Sequence, residues 1–192
     1  MAYRALYPVQ PYARNTVSTS NLLGGEKMKK ALFVVLAVLM LGTLLAGCAK
    51  EEPVVLGPAL LTVSGTMGAA NSGDKYVVDQ AFFDKNSVEV KMDDPWMGDG
   101  ITYKGVLVRD LITAMKVPDS ATTITVIATD GKGLDIAIAD AKKWDIMLAR
   151  WADGAELTTD NGGPVKIAFP ADSRTTYLDE QWMWWLTTAE VK

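Results

Sequence analysis

Alternation of apolar and polar positions is clearest in the second half of the chain. Residues 134–138 alternate Leu and Ile with polar or small residues, the period-two pattern of a strand with one buried face. A β-branched run at 122–129 precedes them, and Asp130-Gly131-Lys132-Gly133 separates the two segments. This order predicts a β-hairpin. Residues 146–151 are apolar on nearly both faces, which predicts an internal strand.

Weaker patterns predict the other elements. Leu107, Leu111, Ile112 and Met115 have helical spacing, and Pro118 follows as a stop signal. Asp79 is placed to cap a single helical turn whose aromatic pair packs inward. Weak alternation predicts a first strand at 60–63, and the alternation of Val88 and Val90 with Glu89 and Lys91 predicts an edge strand with one wet face.

A glycine turn and a short strand follow each other at 161–170, Asn-Gly-Gly-Pro-Val-Lys-Ile-Ala-Phe-Pro. The apolar residues at 165, 167 and 169 alternate with Lys166 and Ala168, which predicts a strand with one buried face. The glycines permit a backbone that other residues rarely adopt. The turn therefore either cradles a ligand or only reverses the chain.

Two segments carry the side chains of a candidate ligand site. Residues 93–100 place three aspartates, two glycines and Trp96 within eight positions. They form a pocket lip, a cation site or a solvated turn. We favour the solvated turn, because the Asp-x-Asp-x-Asp-Gly spacing of a calcium-binding loop is absent. The three tryptophans in 182–185 cannot all be buried on one face of a strand. Their segment is either an internal strand or helix, or part of it lines a groove.

The N-terminal region predicts export and lipid attachment. Residues 28–47 contain a charged start, an apolar run and a small-residue cleavage site, and they resemble a bacterial lipoprotein signal peptide. That resemblance implies diacylglyceryl attachment to Cys48, the only cysteine. An uncleaved transmembrane helix is the alternative. Residues 1–27 precede a complete signal peptide, so we interpret them as a non-native extension. Residues 48–59 are then a tether, and 60–192 form one domain.

Charge narrows the function classes further. Residues 48–192 contain 14 basic and 22 acidic residues, a net charge of −8, which disfavours nucleic-acid binding. The chain has no histidine and no second cysteine. The usual Ser-His and Cys-His nucleophile pairs therefore cannot be assembled.

The order of motifs from about Val63 to Val191 resembles the sulfite-oxidase-type molybdopterin-binding domain. The motifs on which this resemblance rests are Tyr-x-Gly-Val before a Leu-rich helix, a Thr-rich strand ending in Thr-Asp-Gly, then Gly-Gly-Pro-Val-Lys-Ile-x-x-Pro and a Trp-rich tail. The resemblance implies an α+β fold, a mixed β-sheet domain of three β-rich layers or sheets with a few short helices. It also implies a pterin held beside the sheet loops in complete enzymes.

This sequence departs from the family pattern at the residues that hold the cofactor. Family enzymes ligate molybdenum through a cysteine thiolate, a soft ligand suited to that metal, whereas Cys48 is assigned to lipid. The tail has Gln181 and Met183 around Trp182 instead of a cation, which leaves Arg174 and Lys166 as candidate phosphate partners. Molybdopterin is thus admitted by the resemblance but disfavoured by these departures.

We therefore expect a lipid-anchored lipoprotein of the bacterial cell envelope, facing the periplasm or the exterior. Its domain is predicted to bind a small molecule or an envelope protein without catalysis. The alternative is a molybdopterin-dependent oxidoreductase with a thiolate-free metal site. Candidate ligand-binding residues are those expected in loops at one end of the sheets, together with Lys166: Trp96, Asp130, Lys132, Lys166, Arg174, Tyr177 and Trp182. Each also has an ordinary structural interpretation, such as a turn residue for Asp130, a solvated hairpin tip for Lys132 or a core aromatic for Trp182.

Overall fold

The chain folds around two five-stranded sheets. The computed structural model describes residues 55–192; the predicted extension, signal peptide and lipidation site, and most of the tether, lie outside them. The first sheet has the order β2-β1-β10-β5-β6, in which only the β1–β10 pair is parallel. Its strands are β1 (Ala59–Gly65), β2 (Tyr76–Asp79), β5 (Thr123–Ala128), β6 (Gly133–Ala137) and β10 (Leu186–Val191).

The second sheet has the order β3-β4-β7-β8, and β9 also pairs with β7. Its strands are β3 (Val88–Asp94), β4 (Gly98–Leu107), β7 (Met147–Ala152), β8 (Ala155–Glu156) and β9 (Lys166–Ala168). The expectation of three β-rich layers or sheets is wrong for the described residues. The reason is that the short strands β8 and β9 join β7 instead of forming a layer of their own.

Three short helices connect the strands: α1 (Gln80–Asn86), α2 (Val108–Ala114) and α3 (Ile138–Lys143). The predicted cap of α1 is confirmed, since the Asp79 carboxylate accepts a hydrogen bond from the Phe82 backbone N–H at 2.9 Å. Phe83 is buried below this turn. None of the helices in residues 55–192 is long and apolar enough to span a membrane. The α+β class, mixed sheets with short helices, is confirmed.

Strand pairing confirms two strand predictions, and burial corrects a third. The β5–β6 hairpin forms as predicted, and β7 is internal, with β4 on one side and β8 and β9 on the other. Residues 165–169, by contrast, are buried on both faces, Lys166 included. The expected wet face does not exist, because Asp94 and the tail before β10 cover it. The Lys166 ammonium lies 2.6 Å from Asp94 Oδ2 and 5.5 and 5.1 Å from the centres of the Trp182 and Trp184 rings.

Candidate functional site

A cavity of about 270 Å³ opens among loops of both sheets, and tryptophans form much of its wall. Trp96 comes from the β3–β4 loop, and Trp182, Trp184 and Trp185 come from the segment before β10. The turn of the β5–β6 hairpin supplies the polar part of another wall. The cavity therefore combines a large aromatic surface with a few charged groups, as ligand pockets commonly do.

The four tryptophans differ in exposure and are fixed by specific contacts. Trp182 is only 4% exposed, whereas Trp96 is 60% exposed. The rings of Trp184 and Trp185 lie 5.7 Å apart at 80°, so they form a right-angled corner. The indole N–H of Trp185 donates to the Thr159 carbonyl at 2.7 Å. These contacts hold the aromatic wall in place without a ligand.

The glycine turn at 161–163 supports this corner. Gly162 adopts φ +94°, and a Cβ there would lie 2.7 Å from the Trp184 ring. Only glycine combines that backbone with such a close approach. The Gly162 carbonyl also accepts a hydrogen bond from the Trp185 backbone N–H at 2.9 Å. The turn therefore positions the aromatic wall, a role that neither sequence interpretation had assigned to it.

A buried ionic cluster lies directly behind the cavity. The Lys166 ammonium is 2.6 Å from Asp94 Oδ2 and 3.2 Å from the Tyr103 hydroxyl, and Tyr103 donates to the same Asp94 oxygen at 2.5 Å. The side chains of Lys166 and Asp94 are fully buried. The other Asp94 oxygen accepts the backbone N–H groups of Trp96 and Met97. Asp94 thus ties the cavity rim to the core.

The charges of Asp94 and Lys166 cancel, so the cluster has no net charge. Burial alone would raise the pKa of Asp94, but hydrogen bonds from Lys166, Tyr103 and the Trp96 backbone outweigh it and lower that pKa below its ordinary value. Burial lowers the pKa of Lys166, and Asp94 opposes that effect. Burial and the Asp94 carboxylate both raise the pKa of Tyr103. At neutral pH, we take the cluster as an ammonium–carboxylate pair with a neutral tyrosine.

The structure brings four of the seven predicted ligand-binding residues together on the cavity wall: Trp96, Asp130, Lys132 and Trp182. Lys166 does not line the cavity, although its ammonium lies 5.1 Å from the centre of the Trp184 ring. That ammonium is paired with Asp94, so it is not a free phosphate partner.

The last two predicted residues lie elsewhere. Arg174 packs 5.8 Å from the Trp182 ring and pairs with Asp179 at 3.1 Å. Tyr177 lies apart from the cavity, stacked on Phe169 with its hydroxyl donating to Asp140. Burial and the Asp140 hydrogen bond raise the pKa of Tyr177 to about 12, which keeps it a neutral structural donor.

Sequence reasoning missed several residues of the site. Asp94 was assigned to a solvated turn, yet it is 2% exposed. Glu180 lines the cavity, as do Trp184 and Trp185. The tryptophan cluster had signalled a groove, and that alternative is the correct one for Trp184 and Trp185, whereas Trp182 is a buried aromatic at its edge. No local signal linked Asp94 to Lys166, because the pair is separated by 72 residues.

Comparisons with known proteins agree on the fold. The profile of a family described as "Oxidoreductase molybdopterin binding domain" matches residues 63–191. Among solved structures, the chain is similar to the sulfane dehydrogenase SoxCD from Paracoccus pantotrophus, with a TM-score of 0.53 and 14% identity. That match covers 73% of this chain and 40% of the SoxCD chain. At this identity, the similarity concerns the fold alone. No curated protein sequence matches the chain.

Proposed function

This chain belongs to the oxidoreductase molybdopterin binding domain family, and we propose that it uses the family fold as a non-catalytic ligand-binding module. The observation that carries this proposal is the composition of the cavity wall, which is rich in tryptophan and poor in cations. Lys132 is the only lysine or arginine that residues 55–192 place on this wall, which Asp130 and Glu180 also line. Such a wall suits a small ligand with a large apolar surface and no negative charge better than a phosphorylated cofactor.

A molybdenum–pterin cofactor does not fit the donor groups of this domain. A soft thiolate is the appropriate protein ligand for a sulfur-rich, high-valent metal, and residues 55–192 contain no cysteine. The two cations predicted to meet a phosphate, Lys166 and Arg174, are paired with Asp94 and Asp179.

The alternative is a molybdopterin-dependent oxidoreductase with a thiolate-free metal site. The family match over residues 63–191 favours it, but the donor groups described above oppose it. Elemental analysis and oxidative release of pterins separate the two functions when the full chain is purified from its own cells. We expect molybdenum and pterin well below one per chain. Stoichiometric amounts of both would overturn the non-catalytic proposal.

The proposal places this module at the bacterial cell envelope, anchored through lipid on Cys48. Its support is the sequence of residues 28–48, which resembles a lipoprotein signal peptide. Membrane fractionation and intact-mass measurement test it, with Cys48→Ser as the matched variant. We expect the wild-type chain in the membrane fraction with the mass of a lipid-modified chain that begins at Cys48. An unmodified mass for the wild type would contradict the anchor.

A further inference from the structure

The charge of the cavity wall points to a cationic ligand. Asp130 and Glu180 outnumber Lys132 there, and the neighbouring Lys166–Asp94 pair adds no net charge. Glu180 makes no side-chain hydrogen bond or ion pair within residues 55–192. An unpaired carboxylate at the mouth of an aromatic cavity attracts cations and repels anions.

The tryptophans provide the surface that such a cation needs. The faces of Trp184 and Trp185 meet at 80°, and Trp96 and Trp182 complete the aromatic wall. The face of an indole ring carries a negative quadrupole and attracts cations within about 6 Å, most strongly where water is excluded. The structure already shows this preference, because the Lys166 ammonium lies 5.1 Å from the Trp184 ring.

The size of the cavity limits the ligand. Its volume of about 270 Å³ falls just below the usual range of about 300 to 1,000 Å³ for ligand pockets, so the cavity suits only a small compound.

The backbone holds the aromatic corner in a strained conformation. Trp185 adopts φ +56°, which is rare for a bulky residue. Its N–H donates to Gly162, and its carbonyl accepts from Thr129. Strain that the surrounding structure enforces is typical of ligand clamps. A corner that is formed before binding costs the ligand less ordering.

We propose that this cavity, bounded by four tryptophans and two carboxylates, binds a small quaternary ammonium compound. The inference rests on the proposed non-catalytic function and specifies its ligand class. The methylated cation contacts the faces of Trp184 and Trp185, and Glu180 and Asp130 balance its charge.

Calorimetric titration of the full chain in detergent tests this, with choline as the probe. Its uncharged carbon isostere, 3,3-dimethyl-1-butanol, is the matched control, because it has the same shape and hydroxyl group. We expect choline to bind at least tenfold more tightly than the isostere. We also expect Glu180→Gln to weaken choline severalfold while leaving the isostere unchanged. Equal affinity for the two compounds, or no binding of choline, would overturn the proposal.

Aromatic variants locate the site. We expect Trp184→Leu to weaken choline at least tenfold, whereas Trp151→Phe, a change in a tryptophan outside the cavity, has no effect. Unchanged choline affinity in a folded Trp184→Leu chain would overturn the assignment to this cavity. If Trp184→Leu does not fold, the ratio of the affinities for choline and for the isostere, measured in the wild type and in Glu180→Gln, still tests the proposal. Stoichiometric molybdenum and pterin in the purified chain would instead refute the proposed non-catalytic function. That result comes from the metal and pterin analysis and not from these titrations, so the two failures are distinguishable.

Discussion

Removing the Lys166 ammonium should destabilise the domain, because it leaves a buried carboxylate without its counter-charge. In Lys166→Met the side chain keeps much of its length, but Asp94 remains buried at 2% exposure, and within residues 55–192 Tyr103 is its only remaining side-chain partner. Deleting one member of a buried ion pair costs about 3 to 5 kcal/mol, because the remaining charge has no compensation. That is a large fraction of the roughly 5 to 15 kcal/mol that stabilises an ordinary domain.

The double variant Asp94→Asn/Lys166→Met tests whether the unpaired charge of Asp94 is what destabilises Lys166→Met. Asparagine keeps an oxygen for the backbone N–H groups of Trp96 and Met97, which Asp94 Oδ1 accepts at 2.8 and 2.9 Å. No buried charge is then left unpaired, and replacement of a whole buried pair is often nearly neutral. We therefore expect the double variant to be more stable than Lys166→Met alone.

Urea unfolding of the full chain at neutral pH, followed by tryptophan fluorescence, measures both variants. A thermodynamic cycle completed with Asp94→Asn isolates the coupling between the two residues. A decrease of less than about 1 kcal/mol in the free energy of unfolding of Lys166→Met, well under the range for a broken buried pair, would contradict the predicted cost of the unpaired carboxylate. Simple additivity of the two single changes would refute it as well.

Acidification and changes at Tyr177 and Gly162 test three individual contacts. Burial raises the pKa of Asp94, but hydrogen bonds outweigh that effect and hold the pKa below its ordinary 3.8. The contribution of the Asp94 carboxylate to the stability of the fold is therefore present above pH 3.8 and is lost as the pH falls through the folded pKa. The difference in unfolding free energy between wild type and Asp94→Asn should narrow on acidification, and a constant difference would contradict this. Tyr177→Phe removes a hydroxyl that both donates and accepts a hydrogen bond, so we expect a loss of about 1 to 3 kcal/mol in urea unfolding with choline affinity unchanged. Gly162→Ala places a Cβ against Trp184 and should weaken choline binding, whereas Gly73→Ala, also at positive φ but with open space around it and outside the cavity wall, should not. Equal effects on calorimetric affinity would count against the role of the glycine turn.

The regular parts of the fold could be predicted because short-range periodicity reports burial directly. The β5–β6 hairpin and the internal strand β7 follow from alternation and β-branched residues in adjacent segments. The strand at 165–169 could not be predicted fully. Its alternation indicates one buried face, but only tertiary contacts show that Asp94 and the tryptophan tail cover the other.

The site was predictable in part for the same reason. Trp96, Asp130 and Lys132 lie in loops, and loops at one end of a sheet tend to meet. Asp94 was missed because an aspartate beside glycines and a proline usually indicates an exposed turn. The sequence pattern does not show that a lysine 72 residues away neutralises it.

We propose that this domain uses the family fold to hold a small ligand without a molybdenum–pterin cofactor. Native mass spectrometry of the full chain, purified from its own cells, tests this proposal because it reports everything that remains bound. We predict the mass of the polypeptide with its lipid, alone or with a small ammonium compound. A uniform population that carries one molybdenum and one pterin per chain would contradict the account.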